Sequence, residues 1–364
     1  MTHALRRVDF QLLAVVLLLC IIGAVAIYSC TRSETRPISR LTMQIAYIIV
    51  GMAAMFSMML VDTGRLRNLA WPIYLVVMGL LVLVLMMGAI RDTNRWIPLG
   101  PVNLQPSELA KLAVIIMLGA VVARLEEEKW DFLFLVKTLG YIALPALLIL
   151  VQPDLGTPIV LFFIWMAMMF VLGASPIHIA AFALAGVMLF AGAWGFGLIK
   201  PHQRARLTSF MNPDDAPLDA AYHLRQSLIA VGAGHLWGQG LFHGAQSQAD
   251  FIPDQHTDFI FTVIAEELGF VGAFSVLVLF GLLLYRGLCI CAYSPTTFDR
   301  VVAGGIVAML LIQVYVNVAM TIGLAPVKGM ALPFLSYGGS SLLVNMMAMG
   351  ILQSIHMRRE QIVF

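Results

Sequence analysis

Charge is what this chain has least of. Only 12% of its 364 residues are Asp, Glu, Lys or Arg, against roughly 25% in an average soluble domain. A soluble fold of this length would need many more charges to coat its surface. Cysteine is scarcer still: there are four, Cys20, Cys30, Cys289 and Cys291. The last two are spaced C-x-C and no C-x-x-C occurs, so neither a zinc site nor a disulfide framework is supported. The sequence contains no P-loop, no G-x-G-x-x-G after a strand, no H-E-x-x-H and no G-x-S-x-G. Any chemistry here must rest on carboxylates and a substrate that arrives already activated. The net charge of +2 gives no reason to expect a nucleic-acid partner.

What is present is apolar sequence: 60% of the residues are hydrophobic. Runs such as QLLAVVLLLCIIGAVAIY set the class as all-α and polytopic in a membrane. Arg6 and Arg7 before that run, with Ala24-Val25-Ala26 within it, resemble a secretory signal. At about 20 residues the run exceeds a signal core and reads as an uncleaved first span. Hydropathy predicts ten transmembrane helices, at 10–30, 42–61, 70–90, 107–124, 133–151, 155–172, 177–199, 258–292, 301–324 and 339–356. They form one integral membrane domain over 1–364, with a large loop at about 200–257 between helices 7 and 8.

An even number of spans puts both termini on one side. With the termini cytoplasmic, the 22 Lys and Arg divide eleven to a side. Removing Lys200, Arg204, Arg206 and Arg225, which belong to the long loop, leaves eleven inside and seven outside. That favours cytoplasmic termini and an extracytoplasmic large loop. Arg32, Arg36, Arg40, Arg91, Arg95, Arg204 and Arg206 then lie outside, either as solvated loop charge or as a basic rim for an anion such as a lipid phosphate.

The unusual sequence also collects on that side. In QPSELAK, Ser107 is a candidate N-cap, and Glu108 and Lys111 share a helix face at i, i+3. They are either a structural ion pair, or a site in which Lys111 meets an anionic substrate and Glu108 holds it. In HTDFIFTVIAEELGF, Thr257 or Asp258 begins helix 8. Asp258 there is either a residue favoured by the helix dipole, or a poorly hydrated carboxylate able to accept a proton or hold a divalent cation. Glu266 lies about 12 Å further along the axis, too deep to share that site. Glu266 and Glu267 are expected to pair with polar groups on other helices, Lys or Arg included. SYGGSS, with Ser340, is either an amide cradle for phosphate or a tight turn with a Ser cap. Asp154 in QPDLGT is a turn or cap residue. The five histidines of the large loop, His256 among them, lack ligand spacing, and no metal is assigned to them.

Four stretches taken together, RWIPLGPVNLQPSELAKLA, QPDLGT, GQGLFHGAQSQADFIPDQHTDFIFTVIAEELG and PVKGMALPFLSYGGSS, resemble the SEDS family (shape, elongation, division and sporulation proteins) in order and over nearly the whole chain. HGAQSQ and SIHMRRE look more like its elongation branch, RodA, than its division branch, FtsW. Pro253-Asp254 stands where Pro-Glu is commoner and keeps the charge. The resemblance implies a peptidoglycan glycosyltransferase of the bacterial cytoplasmic membrane that polymerises lipid II beside a class B penicillin-binding protein. It puts the family's essential acid on Asp258, and its important Glu and Lys on Glu108 and Lys111. Asp258 is then the candidate base for a sugar hydroxyl. Lys111, Arg204, Arg206, Arg91 and Arg95 are candidate cations for the leaving pyrophosphate, and Ser340 a further substrate contact. A divalent cation (Mg or Mn) sharing Asp258 with substrate oxygens is the other role open to that carboxylate. Two competing functions are a lipid II flippase, suggested by intramembrane charge in a ten-helix bundle, and a scaffold for the penicillin-binding protein.

Overall fold

The structure is a computed structural model describing residues 8–32, 37–87, 95–99, 102–124, 132–152, 154, 156–197, 204, 208, 210, 218–249 and 251–358. It is helical throughout, apart from one two-stranded hairpin. In chain order the elements are α1 (Phe10–Cys30), α2 (Pro37–Leu60), α3 (Thr63–Asn68), α4 (Ala70–Met86), β1 (Ile97–Leu99), β2 (Val102–Leu104), α5 (Pro106–Arg124), α6 (Phe132–Val151), α7 (Gly156–Val171) and α8 (Pro176–Gly195). They continue with α9 (Leu218–Ala233), α10 (Ala245–Gln248), α11 (Ile260–Ala292), α12 (Thr297–Thr321) and α13 (Gly339–Arg358). Each of the ten expected apolar segments coincides with a helix. Among the described residues seven helices are long and apolar enough to cross a membrane, and α4 and α7 are shorter apolar helices.

Helices α5 and α12 form the buried centre, and α2 with α13, α11 with α12, and α12 with α7 pack around it. Small residues allow the close approach. A side chain at Gly119 would run into Val302 and Phe298, and one at Gly305 into Ile115 and Met168. Helix α8 has no buried residue and packs against α7.

Polar contacts concentrate at two ends. At one, Asp9 caps α1 by accepting from the Gln11 and Leu12 amides, both at 3.1 Å. Its other oxygen accepts from Arg286 on α11 at 2.6 and 2.9 Å, while its backbone pairs with Gln353 on α13. At the other end, Ser29 on α1 donates to Glu267 on α11. Twenty residues separate Asp9 from Ser29 and nineteen separate Glu267 from Arg286, about 30 Å of helix in each case. That is the thickness of a bilayer's hydrocarbon core, also about 30 Å.

Two expectations need correction. The loop at 200–257 contains α9 and α10. Its polar composition hid the apolar face on which Leu224, Ser227 and Ala230 are buried, and α9 packs on α11 and α12. The eighth helix is not one rod, because α11 breaks at Gly269 (φ 66°, ψ −166°), a conformation glycine accepts readily. Backbone from 235–240 fills the break. The Gln239 and Gly240 amides donate to the Glu266 and Glu267 carbonyls, and the Phe270 and Val271 amides to the His235 and Leu236 carbonyls.

Arg286→Ala should lower unfolding stability in detergent by on the order of 2 kcal/mol, the scale of hydrogen bonds to a charged group. Arg286→Lys should lose less, and chemical unfolding monitored by tryptophan fluorescence measures both.

Candidate functional site

The chain approaches α11 through a tight turn in which the Thr257 and Asp258 amides donate to the Asp254 carbonyl at 3.1 and 3.0 Å. The helix begins at Ile260 with Phe259 in the capping position and no side-chain cap. Asp258, one of the two residues expected to begin this helix, lies one residue before its cap. Its half-buried carboxylate faces Gly329, where an added Cβ would come within 2.9 Å of Oδ2.

Asn317 on α12 holds this arrangement. Its side-chain amide is fully buried and donates twice, to the carbonyls of Asp258 at 2.9 Å and Met330 at 2.7 Å. The acidic turn and the segment after α12 are thus tied to one side chain. That segment carries Lys328, whose ammonium is pushed to lower pKa by burial while the Asp154 carboxylate opposes the shift. Asp154 is anchored in turn: it accepts from the Gly156 amide at 2.9 Å and the Thr157 hydroxyl at 2.8 Å, at the start of α7. A Cβ on Gly156 would sit in ordinary contact, 3.7 Å from the Met330 methyl, so this turn adjoins the same segment. Asp258, Lys328 and Asp154 thereby come from three chain segments that meet at the Ser29 end of the bundle.

Beyond Met330 the backbone turns inward. Leu335 packs so closely on Gly23 that no Cβ fits there, six residues or about 9 Å below Ser29 along α1. Non-helical backbone at such depth must be enclosed by protein. Leu332, Phe334 and Leu335 are all buried, and the Ser336 hydroxyl accepts from the Leu332 amide at 2.8 Å.

Helix α5 starts beside this dip. The Ser340 hydroxyl donates to the Asn103 carbonyl at 2.8 Å and accepts from the Gln105 amide at 3.0 Å, pinning the start of α13 to the β2–α5 junction. Ser340 is buried and its hydroxyl is spent on backbone, the geometry of a brace. One turn into α5, Lys111 Nζ lies 2.8 Å from both Glu108 oxygens, with side chains only 4% and 13% exposed. The antiparallel register set at Gly119 and Gly305 runs on to place this pair level with Met309–Gln313, roughly one to two turns below Asn317. The pair and Asp258 thus lie along one wall at different depths.

The arginines divide. Arg95 donates to the Gln152 carbonyl at 2.9 Å, two residues from Asp154. Arg204 lies over the Trp194 ring at 4.7 Å and donates to its carbonyl at 3.2 Å, on the end of α8. Arg91 and Arg206 lie outside the described residues. Glu266 accepts from the Gln246 and Ser247 amides at 2.7 and 3.0 Å and from the Ser247 hydroxyl at 2.8 Å. Polar partners on another helix were expected, and they are the amides and the Ser247 hydroxyl at the start of α10 rather than a Lys or Arg. Glu267 pairs with Ser29, as a contact to another helix was expected to do. No three His, Cys, Asp or Glu side chains converge among the described residues. The donor set fits a cation held by one carboxylate and substrate oxygens rather than a resident cage.

His256 closes the rim. Arg40 on α2 donates to its Nε2, its ring meets Tyr337 edge-on at 5.6 Å, and its carbonyl accepts from the Tyr337 amide at 2.9 Å. Burial and the Arg40 guanidinium push its pKa down to about 4, with Asp254 pulling the other way.

Sequence reasoning missed Asn317 and Lys328. Asn317 could have been noticed as a polar residue four after Gln313 inside an apolar span, where such groups are costly. Lys328 stood in PVKG without a partner in view.

The family model for FtsW, RodA and SpoVE, described as cell cycle protein, matches residues 9–361. Peptidoglycan glycosyltransferase MrdB of Escherichia coli (strain K12) is 43% identical over 286 residues, 78% of this chain and 76% of that protein. Stage V sporulation protein E of Bacillus subtilis (strain 168) is 41% identical over 277 residues, 76% of this chain and 75% of that one. Among solved structures, a chain from a peptidoglycan synthase complex that coordinates polymerization and crosslinking superposes with a TM-score of 0.80. It is 31% identical, and the match covers 97% of this chain and 99% of that one. The rod shape determining protein RodA of Thermus thermophilus gives a TM-score of 0.72 at 30% identity, covering 97% and 98%.

Because the folded-state pKa of His256 is depressed from 6.5 to about 4, its contacts stabilise the protein above pH 6.5 and lose that contribution as pH falls towards 4. Melting temperatures of the wild type and His256→Gln should therefore differ most above pH 6.5 and converge towards pH 4.

Proposed function

The chain belongs to the FtsW/RodA/SpoVE family of cell cycle proteins, and from that premise we propose that it is a peptidoglycan glycosyltransferase that polymerises lipid II. The observation that carries this reading is the junction at Asn317, which sets a half-buried carboxylate beside a lysine-bearing segment at one end of a membrane bundle. Ten spans with both termini cytoplasmic place that end outside, with residues 200–257 on the same face.

Glycosyl transfer needs two things of the protein. The acceptor sugar's hydroxyl must lose a proton as its oxygen bonds to the donor's anomeric carbon. The bond from that carbon to the pyrophosphate must break, its electron pair leaving with undecaprenyl pyrophosphate. Asp258 takes the proton, its half-buried carboxylate facing Gly329 and its backbone carbonyl held by Asn317. Lys328 and Lys111 meet the departing negative charge, with Arg95 and Arg204 as further candidate cations and with Arg91 and Arg206, which lie outside the described residues, as the remaining candidates from the sequence. Glu108 keeps Lys111 extended. The alternative role for Asp258 is to hold, together with substrate oxygens, a divalent cation that would add positive charge at the pyrophosphate. A class B penicillin-binding protein is the expected partner, on the strength of the similar complex that couples polymerization to crosslinking.

In a gel assay of glycan strands from purified lipid II, Asp258→Asn should lower the rate at least about a hundredfold, the scale of a lost general base, in protein that melts like the wild type. Normal polymer from that variant would contradict the assignment, and lipid II crossing vesicle membranes without polymer would favour a flippase. Asn317→Ala should cost about tenfold in turnover with little change in apparent affinity, since the carboxylate is displaced and the substrate-binding cations remain. A chelator arm measures the metal's share.

A further inference from the structure

The bundle carries an apolar furrow that the site above does not use. A cavity of about 340 Å³ lies between α1 and α2, lined by residues that include Ile21, Ala24, Tyr28, Ile45, Ile49 and Phe242. A second, of about 150 Å³, lies on the other flank of α1 against α11 and shares Ile21 and Val25 with the first. Together they form an apolar furrow on both flanks of α1, reaching from Leu17 to Tyr28 and bordered by Leu241 and Phe242. Its walls are almost wholly apolar, yet its border is cationic. The exposed Arg32 stands one turn beyond Tyr28 and lies over the Phe242 ring at 5.8 Å. Phe242 also meets Tyr28 edge-on at 5.8 Å and holds φ 67°, an orientation that a bulky residue adopts only under constraint from its surroundings.

That border is joined to the acidic turn. Gln255 donates to the Cys30 carbonyl at 3.0 Å, and the Asp258 amide closes the turn onto Asp254. The furrow's mouth and Asp258 therefore stand at opposite ends of one short, hydrogen-bonded segment. A molecule reaching both would need an apolar chain in the outer leaflet, a negative group at the rim and a sugar above it.

We propose that this furrow seats the polyprenyl tail of one lipid-linked sugar substrate, with Arg32 against its phosphates. This rests on the polymerase reading and adds where the tail lies. A phospholipid acyl chain would satisfy the walls equally, but it would bring no sugar to Asp258.

The test uses full-length protein and two substrates: lipid II with its natural tail, and the same headgroup on a tail cut to a few isoprene units. Ala24→Trp and Ile45→Trp fill the furrow from its two walls, and Leu147→Trp on the exposed face of α6 is the control. Both filling variants should raise KM for natural lipid II on the order of tenfold, as expected for apolar surface left unburied. KM for the short-tailed substrate and kcat should stay as in the wild type. Arg32→Gln should raise KM for both substrates alike. Unchanged KM for natural lipid II in two folded filling variants would overturn the proposal and leave the furrow to bulk lipid, as would an equal rise for both substrates. Wild-type protein that polymerises neither substrate would sink the polymerase reading itself, and this inference with it.

Discussion

One buried amide organises the candidate site. Asn317 sits on α12, which with α5 forms the buried centre, and spends both amide hydrogens on carbonyls from two different loops. In a bilayer an unsatisfied donor costs several kcal/mol, so both bonds are strongly favoured and the loops are held together. With its backbone held in this way, the Asp258 carboxylate faces Gly329, the residue next to Lys328. The carbonyl oxygen of Asn317 has no partner among the described residues.

The membrane sets the remaining terms. Polar clamps at Asp9–Arg286 and Ser29–Glu267 mark the two faces of the hydrocarbon slab. Between them the re-entrant backbone at 332–338 and the start of α5 lie below the rim. Charges there are worth more than in water, because few solvent dipoles compete. That favours a small number of cations around a leaving pyrophosphate over a broad basic surface, and it fits a chain with so few charges. It also explains the bracing. Ser340, Glu266 and Asp154 spend their polar atoms on backbone amides or on a carbonyl, fixing helix starts at which misplacement would propagate into the site.

Much of this was legible in the sequence. Ten apolar runs marked the helices because burial in lipid demands them, and the SELAK and HTDF stretches marked Glu108, Lys111 and Asp258 because ionisable groups are rare in such a setting. What escaped reading was tertiary. Whether Asp258 caps α11 or turns away depends on Asn317, 59 positions later. Ser340 in a glycine-rich turn could equally have cradled phosphate, and only its contact with Asn103 shows the hydroxyl occupied. Lys328 gained its meaning from Asp154, which looked like an ordinary turn residue. Helix α9 was lost in a polar loop because half of its surface faces away from the bundle, and the break at Gly269 left no mark in an unbroken apolar run.

The central claim is that position 258 opens into a wet cleft on the extracytoplasmic face. Side-specific labelling tests it most directly, with Asp258→Cys in a chain whose four native cysteines have been replaced and a charged, membrane-impermeant thiol reagent. The account predicts modification from the outer face of intact cells, slowed when lipid II is supplied in excess. Labelling only from the cytoplasmic face of inverted vesicles, or none from either side when denatured protein labels fully, would contradict it.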